Sequence, residues 1–329
     1  MHGVMDPAKY RKIRDEFGET VAALGAEVPE MVVLTADLMY PTRTEKFAQL
    51  YPERFFDVGV AEQNLVGVAA GLASCGKIPL VADYANFICL RAGEQVRNDI
   101  VYTNLNVKLA ALSSGLTFGV GGPSHQSYED LGLMRALPGL TVIVPSDARL
   151  SGLAVRAAMA HRGPVFLRLG RDEEKIVYAE APPYAIGKAI RLRDGRDIAI
   201  LANGPMVAEA VEAADGLAQS GIRARVLDVH TLKPIDREAV EACARETRGI
   251  ITVEEHNIIG GLGSAVVETL AENPGCPVVR IGIPDIFPVI GPTFELRRHL
   301  GLTAAAIMEK ARQLLAGAKT ADISRIRPI

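Results

Sequence analysis

Residues 57–64 read Asp57-Val58-Gly59-Val60-Ala61-Glu62-Gln63-Asn64 and continue into a Gly- and Ala-rich stretch over residues 66–76. This pattern predicts that a carboxylate, that of Glu62, stands where a helix begins. Because apolar residues crowd Glu62 on both sides, we expect a half-buried acid of the kind that proton-transfer chemistry uses. The alternative is an acid in a first helical turn that only complements the helix dipole, and the stretch taken alone favours it. The rest of the chain decides between the two.

Composition limits the class of protein. The chain has 329 residues, enough for two hydrophobic cores of the usual size, so two domains are expected. The formal net charge is −3, and no run of Lys and Arg is long enough for a nucleic-acid or membrane patch. There is no signal-like N-terminus, and no apolar run approaches the roughly 20 residues that cross a bilayer. We therefore expect a cytoplasmic protein that binds neither nucleic acid nor membrane.

The cysteines carry no metal or disulfide pattern. Cys75, Cys89, Cys243 and Cys276 lie far apart in the sequence, without CxxC spacing. This spacing predicts reduced, mostly buried thiols and no zinc site.

Hydrophobic patterning predicts two successive α/β units. Short apolar runs alternate with longer amphipathic stretches up to residue 171, which is typical of βαβ units with a mostly parallel sheet. A polar connection with Pro182-Pro183 follows, and we expect neither strand nor helix in it. The fold prediction is an α/β protein with two doubly wound domains at residues 1–171 and 190–317. Residues 172–189 form the predicted linker, and residues 318–329 a mobile or partner-held tail.

The turn Gly260-Gly261-Leu262-Gly263 before a predicted helix faintly resembles a phosphate-cradling loop. The full GxGxxG spacing is missing, so tight packing of the helix is the favoured interpretation.

Aromatic residues and a histidine form a second group of candidates. Tyr84 and Phe87, three residues apart in a predicted apolar loop or turn, present two rings on one side. Core packing is the alternative. Residues 119–126 read GVGGPSHQ, a flexible loop that delivers His125. An imidazole can exchange protons with a substrate hydroxyl near neutral pH. The alternative interpretation is that His125 only caps the helix that follows.

Three arginines complete the set of candidates. Arg14, Arg91 and Arg171 lie at the edges of predicted elements of the first domain. Guanidinium groups bind phosphate in a forked geometry. For each arginine alone, a solvated surface charge is the alternative interpretation.

Taken in order along the chain, these motifs resemble the C-terminal half of transketolase, over nearly the whole sequence. The resemblance lies in DVGVAEQN, Tyr84-x-x-Phe87-x-x-x-Arg91-Ala92-x-x-Gln95, GGPSHQ, Pro145-Ser146-Asp147, Leu169-Gly170-Arg171, His230-Thr231-Leu232-Lys233-Pro234-Ile235-Asp236, Thr252-Val253-Glu254-Glu255-His256 and the Gly260 turn. The relatives of that family include 1-deoxyxylulose-5-phosphate synthase and the β subunits of 2-oxoacid dehydrogenases.

The resemblance implies a thiamine diphosphate pyrimidine-binding domain followed by a transketolase C-terminal-like domain. Glu62 matches the glutamate that hydrogen-bonds N1′ of the cofactor's aminopyrimidine. Phe87 matches the aromatic residue that stacks on that ring, and Tyr84 lines the same pocket.

The same resemblance assigns the substrate side of the site. His125 matches a histidine that contacts the substrate hydroxyl near the carbonyl under attack. Arg14 and Arg171 match arginines at the acceptor phosphate, and Arg91 matches a phosphate-binding arginine of the deoxyxylulose synthase branch. The catalytic residues implied are thus Glu62 and His125.

The resemblance also implies a partner. A full-length transketolase binds the diphosphate through a metal and a Gly-Asp-Gly…Asn motif, and no Gly-Asp-Gly occurs in this chain. We expect a separate N-terminal-type subunit that carries this motif and binds Mg²⁺ or another divalent cation. An α2β2 heterotetramer with sites at subunit interfaces is expected, with the second domain chiefly an assembly element.

Two departures bear on the substrate. Gly121 stands where transketolases usually have an acid, and Ser113 where many have a histidine near the acceptor. Ordinary pentose phosphates are therefore in doubt, and another ketose or aldehyde is expected.

The predicted function is transfer of a two-carbon ketol unit from a ketose or ketose phosphate to an aldose. The alternatives are a 2-oxoacid dehydrogenase E1 β-type subunit, a 1-deoxyxylulose-5-phosphate synthase-like enzyme, and a non-catalytic scaffold.

Overall fold

The computed structural model describes residues 9–317 and has two α/β domains in the predicted order. The first contains β1 (Tyr10–Lys12), α1 (Ile13–Glu27), β2 (Met31–Thr35), α2 (Glu45–Leu50), β3 (Phe55–Asp57), α3 (Glu62–Ser74), β4 (Ile78–Tyr84), α4 (Gly93–Gln95), β5 (Lys108–Leu112), α5 (Asp130–Arg135), β6 (Thr141–Ile143), α6 (Ala148–Ala160) and β7 (Val165–Arg168). Wide π-helical turns occupy Phe87–Arg91 and Val96–Val101, on either side of α4.

The connection and the second domain contain the remaining elements. These are β8 (Glu173–Lys175), β9 (Ile190–Arg193), β10 (Ile198–Ala202), α7 (Met206–Ala218), β11 (Ala224–Asp228), β12 (Thr231–Lys233), α8 (Arg237–Glu246), β13 (Ile250–Asn257), α9 (Leu262–Leu270), β14 (Val278–Ile283), α10 (Thr293–His299) and α11 (Ala304–Leu315). None of the helices within residues 9–317 has the length and apolar character needed to cross a membrane.

The sheet of the first domain has the order β12-β6-β7-β5-β4-β2-β3. Its strands are parallel except β12, which reaches over from the second domain and pairs antiparallel with β6. All five residues of β2 and of β5 are buried, as expected for parallel strands covered on both faces. The chain passes from β2 to β3 on one side and then, through α3, to β4 on the other. Ligands bind at such a reversal, beyond the carboxyl ends of the strands.

The second sheet has the order β14-β13-β10-β11-β9, with β9 antiparallel to its neighbour β11. Asp147 caps α6 by accepting a hydrogen bond from the Leu150 amide at 2.8 Å. The α/β class and the order of the two domains are therefore confirmed. The boundaries at residues 171, 189 and 317 stay predictions, and the predicted tail at 318–329 lies outside the described residues.

The prediction that residues 172–189 contain no strand is wrong at their start. The three residues of β8 pair antiparallel with β1, and Glu174 in the middle of β8 is buried. Its carboxylate accepts two hydrogen bonds from the Arg297 guanidinium, at 2.7 and 2.8 Å. The buried negative charge of Glu174 is neutralised by Arg297, which lies far away in the sequence. The pattern of apolar residues gives no sign of this partner, so it does not predict the strand.

The cysteines are all free thiols, as predicted. Cys89 and Cys243 are buried, Cys276 is half-buried, and Cys75 is exposed just after α3.

Candidate active site

Glu62 is the first residue of α3, as the sequence predicted, and only 3% of its side chain is exposed. Gly59, with a φ of +71°, turns the chain between β3 and this helix. The Asp57 carboxylate stabilises the turn by accepting hydrogen bonds from the amides of Gly59 and Asp37, at 3.0 and 2.9 Å. Glu62 is thus an acid buried beyond the carboxyl end of β3, more deeply than the half-burial expected.

The Glu62 carboxylate has a specific charged partner. Arg91 Nη1 donates to Glu62 Oε1 at 2.6 Å, and the guanidinium carbon of Arg91 lies 4.4 Å from the centre of the Phe87 ring. The carboxylate therefore has a charged side-chain partner in addition to the N-terminus of α3. Arg91 connects the buried acid to the aromatic group beside it.

Tyr84 lies in a strand and Phe87 in a π-helical segment, which corrects the prediction of a loop or reverse turn. Tyr84 is the last residue of β4, and Phe87 opens the π-helical turn Phe87–Arg91, closed by the Ala92 amide donating to the Phe87 carbonyl at 3.0 Å. Such wide turns often mark functional sites. The two ring centres lie 5.9 Å apart.

His125 lies among three aromatic rings. Its ring centre is 6.1 Å from Tyr84, 5.5 Å from Phe87 and 5.3 Å from Phe118, each pair meeting edge to face. The sequence analysis did not select Phe118; its only sign was an aromatic residue just before the glycine-rich loop. The structure thus brings the predicted aromatic pair and the predicted histidine together.

Contacts within the loop and with the end of β4 hold His125 in this position. The next helix, α5, begins five residues later with Glu129 before it, so His125 does not cap it. Asn86 Nδ2 donates to the Ser124 carbonyl at 2.5 Å, which ties the loop to the end of β4. A Cβ at Gly121 would come within 2.9 Å of His125 Cβ. An acidic side chain at position 121 would therefore displace the His125 imidazole. This is a physical reason for glycine at a position where transketolases usually have an acid.

Arginine side chains converge on the other side of the cluster. Arg171 Nη1 donates to the Tyr84 hydroxyl at 3.1 Å, and its guanidinium carbon lies 4.0 Å from the centre of the Phe118 ring. Burial and the positive charges of Arg43 and Arg171 lower the pKa of Arg14. The buried Nε of Arg14 has no hydrogen-bond partner among residues 9–317. Neighbouring cations with an unused donor favour an anionic ligand over the surface-charge alternative.

Arg43 is a third member of this arginine group that the sequence analysis missed. It has a φ of +62°, rare for a residue with a side chain, and its Nε donates to Asp15 Oδ1 at 2.8 Å. Local propensity gives no reason to select it, because its place beside Arg14 comes from the packing of α1 against the segment before α2.

Asp83 is a second acid that the sequence analysis did not select. It is fully buried in β4, and its Oδ1 accepts from the Tyr84 amide at 2.7 Å. Oδ2 has no partner within the described part of the chain. Burial raises the pKa of the Asp83 carboxyl to about 7, and the nearby Glu62 carboxylate adds to the rise. The sequence does contain one sign of this residue, because Asp83 is an acid inside the otherwise apolar run of residues 78–84.

We expect Asp83→Asn to change the pH dependence of stability. Since the folded-state pKa is about 7 and the unfolded value about 4, the folded protein binds the extra proton between these values. The stability from protonated Asp83 is full below about pH 4 and is lost as the pH rises through about 7. Urea unfolding from about pH 5 to pH 8 should therefore show the wild type losing about 2–3 kcal/mol relative to the variant. Parallel curves would contradict the assignment.

The Gly260 turn packs tightly, as the sequence analysis favoured. A Cβ at Gly260 would lie 2.8 Å from Gly132 Cα. The α9 N-terminus already receives a carboxylate, because Glu254 accepts from the amides of Leu262 and Gly263 at 2.6 and 2.8 Å. Among residues 9–317, no group of three or more His, Cys, Asp and Glu side chains is arranged to hold a metal ion.

Comparison with protein families gives two matches along the chain. Residues 9–175 match the transketolase pyrimidine binding domain, and residues 187–307 match the transketolase C-terminal domain.

Individual relatives are similar over almost their full length. The chain is 42% identical over 302 residues to the 6-deoxy-6-sulfo-D-fructose transketolase subunit SqwH of a Clostridium species, covering 92% of this chain and 94% of that subunit. It is 40% identical over 303 residues to an apulose-4-phosphate transketolase subunit of Phocaeicola vulgatus, covering 92% and 97%. A solved split gene transketolase, described as an inactive beta4 tetramer, superposes with a TM-score of 0.85 at 44% identity, covering 93% of this chain and 99% of that one.

Proposed function

The chain belongs to the transketolase family, and we propose that it is the β-type subunit of a split, thiamine diphosphate-dependent transketolase. In this proposal it transfers a two-carbon ketol unit from a ketose, or ketose phosphate, to an aldose. The observation that carries the proposal is the buried Glu62 carboxylate next to a cluster of Phe87, Tyr84 and His125.

The residues present fit the aminopyrimidine half of thiamine diphosphate. That ring is flat and has a basic nitrogen, so it suits a site that pairs an aromatic face with a buried carboxylate; Phe87 and Glu62 supply the two, and Tyr84 lines the pocket. When bound, the cofactor supplies a stabilised carbanion at its thiazolium ring. Glu62 would hold the proton at the pyrimidine nitrogen. Arg91 shares this carboxylate through Oε1 only, which leaves Oε2 for the ring.

His125 and the arginine group would act on the substrate. His125 lies at the centre of the aromatic cluster, where an imidazole holds or moves a proton at a substrate hydroxyl. Arg14, Arg43 and Arg171 would bind the anionic end of the sugar. The relatives named above act, by their names, on a sulfonated and a phosphorylated sugar, and both anions suit guanidinium groups.

Neutralising the arginine group should weaken binding of an anionic acceptor. We expect Arg14→Met or Arg171→Met each to raise KM for a phosphorylated acceptor by about 10- to 100-fold, the value of one charged hydrogen bond. Turnover at saturation should change much less, and an uncharged acceptor should be nearly unaffected. Arg156→Met, which removes a surface ion pair between α6 and Glu27, is the matched control. Equal losses with charged and uncharged acceptors would contradict an anion site.

A partner subunit would complete the site. Next to Glu62 and Arg91, the side chains of Val60 and Leu90 are 72% and 55% exposed, an apolar rim beside a buried acid. We propose that a separate subunit with the Gly-Asp-Gly…Asn motif covers this rim and binds the diphosphate through Mg²⁺ or another divalent cation. An α2β2 assembly would then place two such sites at subunit interfaces.

The test is turnover by this chain, by the candidate partner, and by their mixture, with thiamine diphosphate and Mg²⁺ and a panel of ketose donors and aldose acceptors. Ketol transfer by the mixture alone supports the proposal. Formation of acyl-lipoyl groups from a 2-oxoacid would instead assign 2-oxoacid dehydrogenase chemistry. No turnover by a mixture that assembles and binds cofactor would favour a scaffold.

A further inference from the structure

The second domain holds the loop that carries Phe118 and His125. The Leu116 amide donates to Glu255 Oε1 at 2.9 Å, and the Thr293 hydroxyl shares its hydrogen between the Leu116 carbonyl at 3.0 Å and Asp172 Oδ2 at 2.6 Å. Glu255 lies on β13 and Thr293 on α10, both in the second domain. Both backbone groups of one residue, two positions before Phe118, are therefore fixed by the other domain.

Glu255 is itself anchored in a buried ion network. Its Oε2 accepts from Arg297 Nε, and Arg297 also forms the paired hydrogen bonds to Glu174 of β8. Both carboxylates are almost fully buried. Because the charges are desolvated and mutually paired, Glu255 has little freedom to move.

The other end of the loop is fixed by the same strand. Arg168 Nη2 donates to the carbonyls of Ser127 and Glu255, each at 3.0 Å. The Asn257 amide donates to the Tyr128 carbonyl at 2.7 Å. Residues 116–128 thus span between two attachments to β13.

The backbone at Gly115 shows how closely Glu255 approaches the loop. Gly115 has a φ of +63°, and a Cβ there would lie 3.0 Å from Glu255 Cδ. Only glycine fits at this contact without displacing the Glu255 carboxylate.

We propose that Glu255 is a positioning residue: through the Leu116 amide, the second domain sets the place of the His125 loop in the active site. The kinetic consequence rests on the proposed function, whereas the effect on the loop itself does not. The second domain then has a part in catalysis besides the assembly role expected from the sequence.

Glu255→Gln tests the proposal. The Leu116 amide and Arg297 Nε donate to different oxygens of the carboxylate, and an amide has an NH2 group in place of one of these oxygens. One buried donor is left unpaired, and its cost is expected to speed hydrogen exchange of amides in residues 113–127 by about tenfold or more. In the complex with the partner subunit, kcat for ketol transfer should fall by about tenfold while thiamine diphosphate affinity stays near that of the wild type.

Glu254→Gln is the matched control. Glu254 is equally buried on the same strand, but it faces the other side and caps α9 within the second domain. It should lower overall stability and leave both loop exchange and kcat near the wild-type values. Thr293→Val, which removes the hydroxyl shared by the Leu116 carbonyl and the Asp172 carboxylate, should also speed loop exchange, and it serves if Glu255→Gln does not fold.

The outcomes separate this proposal from the proposed function. Wild-type exchange over residues 113–127 in the Glu255 and Thr293 variants would overturn it. Equal changes in the Glu254 and Glu255 variants would also overturn it, because the role would then be structural only. If the wild-type complex shows no ketol transfer, the proposed function fails, and the exchange measurement still decides whether Glu255 positions the loop.

Discussion

Glu62→Gln is expected to lower ketol transfer by the complex with its partner subunit by roughly 10²–10⁴-fold, the range for loss of a positioned proton-transfer group. The amide keeps the size of the side chain and an oxygen for the bond from Arg91, which is 2.6 Å in the wild type. It cannot hold the proton at the pyrimidine nitrogen. The measurement is turnover at saturating substrate, with assembly checked by sedimentation.

Glu45→Gln is the matched control for this substitution. Glu45 is the first residue of α2, as Glu62 is of α3. If an acid at that position only complements the helix dipole, both variants should cost about 0.3–1 kcal/mol of stability and leave turnover unchanged. Wild-type turnover in Glu62→Gln would therefore rule out the catalytic role proposed for Glu62.

Arg168→Met should cause the largest loss of stability. Arg168 Nε donates to Asp130 Oδ2 at 2.7 Å, and the two side chains are 2% and 0% exposed. Removing the cation leaves the Asp130 charge buried and unpaired, so we expect the free energy of unfolding to fall by roughly 3–5 kcal/mol. Urea unfolding at neutral pH measures the change.

Two further variants check this explanation. Arg193→Met breaks a pair with Asp215 that is about half exposed, and it should cost less than about 1 kcal/mol. Asp130→Asn in the Arg168→Met background should restore part of the loss, since it removes the unpaired charge. A cost for Arg168→Met no larger than that for Arg193→Met would contradict the buried pair's importance.

The sequence predicts the elements whose stability is local or depends on apolar burial. The strands β2 and β14 and the helix α11 are of this kind, because continuous or periodic apolar residues mark each of them. The family prediction rests on motifs and is confirmed by matches to both domains. The predicted place of Glu62 is correct because a Gly-containing turn and an Ala-rich helix flank it.

The features that the sequence does not predict depend on distant partners. The edge strand β12 joins the sheet of the other domain, and β8 is stable because Arg297, more than 100 positions away, pairs with Glu174. Arg43 lies beside Arg14 only through helix packing, and Asp83 appears within a run that reads as an ordinary strand. The prediction of a loop at Tyr84 fails because the π-helical turn after it has no sequence pattern of its own.

The most direct test of the central claim is the fate of a ¹³C label placed at the first two carbons of the ketose donor. With this chain, the partner subunit, thiamine diphosphate and Mg²⁺ together, the proposal predicts that both labelled carbons appear side by side in a product two carbons longer than the aldose acceptor. Neither subunit alone should form that product. Label that stays in the donor, in a mixture shown to assemble and bind the cofactor, would contradict a transketolase role.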